Sequence, residues 1–267
     1  MHDLLRKGYG RLQGLLPSGL RRLIRRRYYR GIVANYTDAD WEWAPVIRSL
    51  LQPGDQVLDV GANVGYLSGL FARWVGPAGR VVSVEPIPDT HDALASSMAA
   101  LFPGRVTVVQ ACVSDRPGFV TMDVPVGTDG RENFYESRIR TGASPGLPGA
   151  RSFTVEAVTL DDLVHRENLR PALVKIDVEG HEETALRGAS SLLARQPPLL
   201  IEVAGDPDAL DTPAHRLFAL LAAAGYQALT LDGVRCRPRR VGDRAVDYLF
   251  TPAPVAKKVM GESAATR

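Results

Sequence analysis

Short apolar runs alternate with longer helical patterns through most of the chain. Continuous apolar runs are typical of buried parallel strands, and apolar residues at every third or fourth position are typical of helices that cover a sheet. The runs predicted to be strands span 57–60, 81–84, 105–110, 173–176 and 198–203. Their alternation with helical segments predicts an α/β fold with a mostly parallel sheet.

Four other segments depart from this alternation. Residues 118–124 and 153–158 each alternate apolar and polar positions, which predicts an antiparallel pair, and 246–250 is predicted to pair with 226–231. The stretch between the first two of these segments, 125–151, is rich in Gly, Pro, Ser and charge, and a loop of this length inside a compact domain is usually functional or disordered. We therefore expect it to be a substrate lid, with polar groups at Asn133, Tyr135, Glu136, Arg138 and Arg140.

Helix boundaries follow from capping residues. One helix is predicted over 35–52, capped near Thr37 or Asp38, and another from Asp89 or Thr90 to Leu101. A third is expected to begin at Thr159. After Thr251, the Pro- and Ala-containing end has the composition of a flexible tail over 253–267.

Composition places the chain among ordinary globular proteins, with 267 residues, 45% of them hydrophobic and 23% charged. Its apolar runs are too short to cross a membrane, and the first residues lack the pattern of a signal peptide. Cys112 and Cys236 stand far apart and outside any metal-ligand spacing. We therefore expect a cytoplasmic protein with reduced thiols.

Charge is concentrated at the beginning of the chain. The first thirty residues hold nine Lys and Arg against Asp3 alone, a local +8; because the whole chain is +2, the remainder is −6. Leucines interleave with these bases in an amphipathic pattern broken at Pro17, so residues 1–34 are predicted to form a basic helical arm. Its roles stay open: contact with anionic lipid, with a polyanion or with a partner subunit, or simple packing of the apolar face with solvated arginines. The basic run lacks a nucleic-acid-binding module, so no nucleic-acid partner is expected.

The run 57–60 leads into a glycine-bearing turn, 61–65, and then into a helical pattern, which predicts strand, tight turn and helix. The next strand ends in Glu85, where an acid usually accepts hydrogen bonds from the two hydroxyls of a ribose. We therefore predict a nucleoside-containing cofactor. A dinucleotide fingerprint would place glycines at positions occupied by Gly61, Asn63 and Tyr66, so a pyrophosphate is disfavoured.

The acid before the turn, Asp59, is placed to hold an ammonium group such as that of S-adenosylmethionine (SAM). Asp-x-Gly-x-x-x-Gly followed by a helix resembles the cofactor loop of Rossmann-like SAM-dependent methyltransferases. By the same carboxyl-edge rule, the segment after the third strand borders the adenine, with Cys112 and Val113 touching the base and Ser114 or Asp115 bonding its amino group. The predicted cofactor-binding residues are Asp59, Gly61, Asn63, Val64, Gly65, Glu85, Pro86, Cys112, Val113, Ser114 and Asp177.

A second cluster lies in the segment Val174-Lys175-Ile176-Asp177-Val178-Glu179-Gly180-His181-Glu182. In a doubly wound sheet this strand lies beside the first, so its carboxyl end faces the reactive end of the cofactor, where an acceptor must be held. The predicted catalytic residues are His181 as the base by intrinsic pKa, Asp177 as the group that orients it or as an alternative base, Lys175 and Glu179. Lys175 could instead form a structural ion pair. Glu182 and Glu183 could simply be acids in the first turn of a helix, where they interact favourably with the helix dipole.

The neighbouring strand carries Glu202 near its end. Carboxylates at two adjacent strand ends could bind a hard divalent cation such as Mg²⁺, with Asp177 and Glu202 as ligands, or could act as bases without a metal. The sequence leaves both alternatives open.

The pairing of VLDVGANVG with VKIDVEGHE resembles the FkbM family of SAM-dependent methyltransferases, over roughly 51–225. The resemblance implies a Rossmann-like class I methyltransferase fold: a seven-stranded, mostly parallel sheet with the last strand antiparallel and helices on both faces. It also implies O-methylation of a hydroxyl on a sugar, glycoside, polysaccharide or other secondary metabolite. The basic arm and the 125–151 insert depart from the family core, so the acceptor is not implied.

We accordingly expect a basic arm over 1–34, a methyltransferase domain over 35–252 and a tail over 253–267. Two alternatives from other classes remain: a non-catalytic SAM-binding module attached to membranes by the arm, and a nicotinamide-dependent oxidoreductase. The oligomeric state is open, a homo-oligomer included. The dense cluster around Asp177 favours the enzyme.

Overall fold

The computed structural model describes residues 17–127, 138–140, 146, 148–233 and 235–261, the side chains of Ser18 and Arg138 excepted. The helices are α1 Ser18–Asn35, α2 Ala44–Leu50, α3 Tyr66–Val75, α4 Pro88–Leu101, α5 Leu160–Arg166, α6 Glu182–Arg187, α7 Ser190–Ala194, α8 Pro213–Ala223 and α9 Ala253–Met260. The strands are β1 Gln56–Val60, β2 Arg80–Val84, β3 Val106–Val109, β4 Cys112–Val113, β5 Gly118–Val124, β6 Arg138–Ile139, β7 Arg151–Val158, β8 Leu173–Ile176, β9 Leu199–Glu202, β10 Tyr226–Asp232, β11 Arg235–Pro238 and β12 Asp247–Pro252.

The main sheet has the order β11-β10-β12-β9-β8-β1-β2-β3. Strands β1, β2, β3, β8 and β9 are parallel, and β12 runs antiparallel between β9 and β10. This is the predicted Rossmann-like arrangement, with the antiparallel closing strand in its expected place. An eighth strand, β11, extends the predicted seven as a hairpin partner of β10 at the sheet edge.

Helices cover both faces of this sheet because successive side chains of each strand point to opposite sides. Val57 and Val81 pack with helices α1 to α4 and α9 on one face, whereas Leu58 and Val82 pack with α5 to α8 on the other. The central strands β1, β2, β8 and β9 are buried on both faces, as their continuous apolar runs indicate. Their carboxyl ends therefore meet at one edge, and both glycine-bearing turns lie there.

A second, smaller sheet has the order β4-β7-β5-β6. Strands β5 and β7 pair antiparallel over their whole length, as predicted from their alternation. The short strand β6 adds to β5 with Ile139 opposite Met122, so the described part of the insert belongs to this sheet. Of the polar groups expected in a lid, Asn133, Tyr135 and Glu136 lie outside the described residues.

Helix α1 packs on the domain through ion pairs as well as apolar side chains. Arg25 forms an ion pair of 2.7 Å with Asp89 at the start of α4, and Arg26 pairs with Asp92 one turn later. Leu20 and Leu23 are 43% and 62% exposed. The interpretation that the apolar face packs on the domain while the arginines are solvated thus holds only in part. Val33 is fully buried in the core, but Arg25 and Arg26 pair with carboxylates of α4. Residues 1–16 lie outside the described part of the chain.

Three other boundaries differ from the sequence interpretation. The segment predicted as one helix over 35–52 is a 3₁₀ turn, Asp38–Asp40, followed by α2, because Thr37 caps the turn and Pro45 begins a new helix. Helix α4 begins at Pro88 rather than being capped at Asp89 or Thr90. Of the tail predicted to be flexible over 253–267, Ala253–Met260 forms α9, whose Ala256 is fully buried against the sheet, and 262–267 lies outside the described residues.

The beginning of α5 agrees with the sequence prediction. Thr159 caps α5 as expected, its Oγ1 accepting a hydrogen bond of 3.0 Å from the Asp162 amide.

Among the described residues no helix combines the length and hydrophobicity required to cross a bilayer.

Candidate active site

A cavity of about 290 Å³ opens at the carboxyl edge of the main sheet. Its walls come from the ends of β1 and β2, the turn after β8, the beginning of α4 and the small sheet. The residues that line it are Val60, Gly61, Asn63, Val84, Glu85, Pro86, Ile87, Thr90, Ala111, Cys112, Val113, Met122, Ile139, Asp177, Val178, Glu179, Gly180 and His181. The two sequence clusters predicted to bind cofactor and acceptor therefore share one cavity.

The first turn contributes mainly backbone. Gly61 has φ +74, and a Cβ placed on it would lie 1.7 Å from the carbonyl oxygen of Asp177. The peptide after β8 thus approaches the first turn so closely that only glycine fits. Gly65 also has positive φ, and its Cβ would lie 2.7 Å from Leu94 Cδ1 in α4. Both glycines are explained by packing of protein against protein.

Glu85 is held in place by the two segments beside it. Its Oε2 accepts a hydrogen bond of 2.9 Å from the Asn63 amide, and its Oε1 accepts one of 3.0 Å from the Ile87 amide. The carboxyl is only 4% exposed. Burial raises the pKa of Glu85 to about 7, although the two amide donors act in the opposite direction. Each oxygen keeps a second lone pair, so the group can accept two hydroxyl donors from a ribose.

The second turn contributes charge. Lys175 Nζ lies 2.8 Å from Asp177 Oδ2 and 3.5 Å from the Gly61 carbonyl oxygen, so it links β8 to the first turn. Burial alone would lower the pKa of Lys175, but the carboxylates of Asp177 and Asp59 outweigh it and raise that pKa. The lysine is 6% exposed and does not line the cavity. Its ammonium group neutralises the charge of Asp177 from outside the cavity lining, whereas Asp177 itself lines the cavity.

Glu182 shapes this turn. Its Oε1 accepts hydrogen bonds from the amides of Val178 at 3.2 Å and Gly180 at 2.9 Å. These bonds hold the backbone in a conformation that includes Glu179 at φ +53 and Gly180 at φ +92. Glu183 pairs instead with Arg187 of the same helix and with Arg216 of α8. The two glutamates thus have structural contacts, leaving Asp177, Glu179 and His181 toward the cavity.

His181 lines the cavity at the beginning of α6, with Nε2 3.4 Å from Ser114 Oγ. Loss of hydration lowers the pKa of His181 below its ordinary value, with partial compensation from Asp115. The imidazole is therefore neutral near pH 7 and can accept a proton. Ser114, predicted to bond adenine, lies behind the histidine and outside the cavity lining.

Carboxylates accumulate at the ends of β8, β9 and β12. Oxygens of Asp177, Glu179 and Glu202 lie within 4.8 Å of one another, so Glu179 joins the pair that the sequence placed together. Burial and these neighbours raise the pKa of Glu202 to about 7, and burial raises that of Asp247 to about 6. Oxygen ligands from three carboxylates suit a hard divalent cation. Lys175 already supplies one positive charge to the cluster.

Four predicted cofactor residues do not line the cavity: Asp59, Val64, Gly65 and Ser114. Asp59 is fully buried beneath the turn, where its Oδ2 accepts a hydrogen bond of 2.5 Å from Ser68 Oγ in α3. Its Oδ1 has no hydrogen-bond partner among the described residues. Burial raises the pKa of Asp59 above its ordinary value. A direct contact between Asp59 and an ammonium group stays a prediction.

Sequence reasoning missed the wall opposite the second turn. Ile87 and Thr90 come from the beginning of α4, and Met122 and Ile139 from the small sheet. A helical pattern beginning near Asp89 gave the signal for α4, but only the paired strands β5 and β6 bring Met122 and Ile139 together. This apolar wall, with Cys112 and Val113, fits a flat aromatic base beside a ribose at Glu85. The residues present thus fit a nucleoside cofactor.

Comparison with known proteins agrees with this arrangement. The sequence matches the family described as Methyltransferase FkbM domain over residues 59–228. Hexuronic acid methyltransferase AglP of Haloferax volcanii is 29% identical over 170 residues, 62% of this chain and 64% of that protein. A protein-L-isoaspartate O-methyltransferase of Triticum aestivum is 44% identical over 61 residues, 21% of this chain and 26% of that protein. The chain thus spans less than two thirds of either relative.

Among solved structures, a TehB-like SAM-dependent methyltransferase from Corynebacterium glutamicum aligns with a TM-score of 0.43 at 13% identity. The alignment covers 88% of this chain and 100% of that one. So low a TM-score adds nothing to the fold, which rests on the strand order. The family match covers well over half of the sequence and includes both turns of the cavity. The chain belongs to the FkbM family of SAM-dependent methyltransferases.

Proposed function

We propose that the protein transfers the methyl group of SAM to a hydroxyl oxygen of a sugar or glycoside. The observation that carries the proposal is the shared cavity: Glu85 at the nucleoside end and Asp177, Glu179 and His181 at the other end line one space. When bound, SAM supplies an electrophilic methyl carbon. The relative named as a hexuronic acid methyltransferase supports a saccharide acceptor.

Different residues of the chain bind the cofactor, orient the acceptor and accept its proton. Glu85 binds the ribose beside the backbone of the first turn, and the apolar wall accepts the base and excludes water. Asp177 and Glu179 accept hydrogen bonds from acceptor hydroxyls and thereby orient them. Holding an acceptor at near-attack distance can contribute about 7–11 kcal/mol to lowering the barrier. A hydroxyl also needs to lose its proton during attack, and neutral His181 accepts it, a contribution on the order of 10²–10⁴-fold.

Electrostatics favours a hydroxyl over a carboxylate as the acceptor group. The reacting end of the cavity holds Asp177 and Glu179, with Glu202 close behind. A carboxylate acceptor would be repelled by these groups and would not need a base, whereas a neutral hydroxyl is attracted and needs one. A uronic acid offers both kinds of oxygen, so the two outcomes can be compared on one molecule.

The experiment is transfer of labelled methyl from SAM to methyl glucoside and methyl glucuronide, with alkali treatment of the products. We expect label on both sugars in an alkali-stable ether. Label that alkali releases as methanol would show a methyl ester and overturn the hydroxyl assignment. Absence of transfer to any saccharide tested, with SAM binding intact, would overturn the sugar class.

We propose, as an alternative form of the same reaction, that a bound metal ion assists the methyl transfer. It is supported by the oxygens of Asp177, Glu179 and Glu202, which lie within 4.8 Å of one another and could hold Mg²⁺. A cation there would lower the pKa of an acceptor hydroxyl. Chelation with EDTA should then abolish turnover and added Mg²⁺ restore it. Turnover unaffected by the chelator would leave His181 and Lys175 as sufficient for the reaction.

A further inference from the structure

The beginning of helix α4 buries a hydroxyl that bonds to nothing described. Thr90 is 4% exposed, and its Oγ1 has no hydrogen-bond partner among the described residues. A threonine in a helix commonly bonds the carbonyl four residues earlier. Here that carbonyl, on Pro86, accepts from Gln110 Nε2 at 3.5 Å instead. A buried hydroxyl without a partner costs stability, so its presence needs an explanation.

Thr90 lines the cavity, and its surroundings there are apolar. The lining on this side includes Ile87, Met122 and Ile139, and Cys112 belongs to the same wall. Burial raises the pKa of the Cys112 thiol to about 12, so that side chain stays uncharged. The wall therefore offers apolar surface for the two faces of a flat ring and one hydroxyl for its edge.

The position of Glu85 decides which part of the cofactor meets Thr90. Glu85, Ile87 and Thr90 follow one another along the segment after β2, and β1 separates β2 from β8 and its charged turn. With the ribose at Glu85 and the methyl-bearing end at Asp177, the base extends toward α4 and the small sheet. Adenine carries both donors and acceptors on its edge, and a rotating hydroxyl can serve either.

We propose that Thr90 Oγ1 is a binding group for the adenine edge of SAM, left unpaired until the cofactor enters. The proposal deepens the SAM-dependent function and rests on it. Thr90 is thereby a specificity residue for the base, supplied by α4 rather than by the segment around Ser114 that the sequence indicated.

Thr90→Val tests the proposal, because valine keeps the shape of threonine and removes only the hydroxyl. We expect the variant to bind S-adenosylhomocysteine about tenfold more weakly by calorimetry, the loss of one hydrogen bond of about 1.4 kcal/mol. Binding of S-ribosylhomocysteine, which lacks the base, should be unchanged. The melting temperature of the cofactor-free protein should stay equal or rise, since the hydroxyl has no partner to lose.

Two further variants complete the design. Thr90→Ser keeps the hydroxyl and should bind S-adenosylhomocysteine within about twofold of the unaltered protein. Thr251→Val makes the same chemical change at a fully buried threonine in β12, outside the cavity lining, and should leave affinity unchanged.

Unchanged affinity of Thr90→Val for S-adenosylhomocysteine would overturn the proposal. So would an equal loss for both ligands, or a lowered melting temperature, because either would show a structural role. If the unaltered protein failed to bind S-adenosylhomocysteine, the SAM-dependent function itself would fall, a result distinct from a failure at Thr90.

Discussion

The two turns that form the cavity floor hold their shapes by different means. The turn after β1 has Gly61, Asn63 and Gly65 at φ +74, +50 and +98, and its amides bond the ends of neighbouring strands. The turn after β8 has Glu179 and Gly180 at positive φ, but the Glu182 side chain fixes it by accepting two amide hydrogen bonds. One turn therefore lines the cavity mainly with backbone whose amides are already bonded, whereas the other lines it with Asp177, Glu179 and His181.

This difference explains why the glycine turn is a poor indicator of chemistry. Its glycines are required by contacts within the protein, so by themselves they do not indicate a ligand. The charged turn is more informative because burying ionisable groups at a cavity costs free energy that packing does not require. The contact between Gly61 and the Asp177 carbonyl joins the two turns, so each can be tested through the other.

The largest effect is expected at that contact. Gly61→Ala places a Cβ 1.7 Å from the Asp177 carbonyl oxygen, which must shift with the charged turn. We expect a loss of at least about 4 kcal/mol in the free energy of unfolding, measured in urea, and loss of S-adenosylhomocysteine binding.

Gly104→Ala is the matched control, because Gly104 also has φ +74 but no described atom lies within 4 Å of the added Cβ. It should lose only about 1–2 kcal/mol, the cost of a left-handed backbone. Equal losses in the two variants would contradict the close contact between the turns.

The second effect concerns the chemistry of the charged turn. His181→Gln keeps a polar side chain but cannot accept a proton at neutral pH, so kcat should fall on the order of 10²–10⁴-fold while the affinity for S-adenosylhomocysteine stays within about twofold. His165→Gln, on the exposed side of α5, should change neither quantity.

The pH profile gives an independent check. Because the pKa of His181 is lowered, kcat/KM of the unaltered enzyme should fall only below about pH 6.5, the ordinary histidine value. An unchanged kcat in His181→Gln would show that another group takes the proton.

The main sheet could be predicted because its strands are buried on both faces and read as continuous apolar runs. The positions of Glu85 and Asp177 followed from the rule that parallel strands share a carboxyl edge. The wall carrying Met122 and Ile139 could not be predicted, since it depends on the addition of β6 to the predicted pair of β5 and β7. The orientation of α1 depends likewise on Asp89 and Asp92 of α4, which periodicity within α1 does not contain.

The third effect concerns the acid that faces the first turn. Burial raises the pKa of Glu85 to about 7, above the ordinary 4.5. Between these values the folded protein binds more protons than the unfolded chain, so the free energy of unfolding falls as pH rises through this window. The contribution of Glu85 to this fall is about 3 kcal/mol at 1.36 kcal/mol per pKa unit.

Glu85→Gln should reduce that fall by a similar amount, measured by urea unfolding of the cofactor-free protein from pH 4.5 to 8. The exposed Glu156→Gln, in β7, should retain the profile of the unaltered protein. Parallel profiles for Glu85→Gln and the unaltered protein would show that the carboxyl is not desolvated.

The smallest effect tests how the charged turn keeps its shape. Glu182→Ala removes the acceptor of the Val178 and Gly180 amides, and we expect a loss of about 1–2 kcal/mol in the free energy of unfolding. Glu182→Gln keeps a carbonyl acceptor and should lose less than about 1 kcal/mol. Because Asp177, Glu179 and His181 depend on this turn, Glu182→Ala should also lower kcat, and Glu182→Gln should restore it. If alanine and glutamine behaved alike, the turn would hold without the side-chain acceptor, and the contrast between the two turns would disappear.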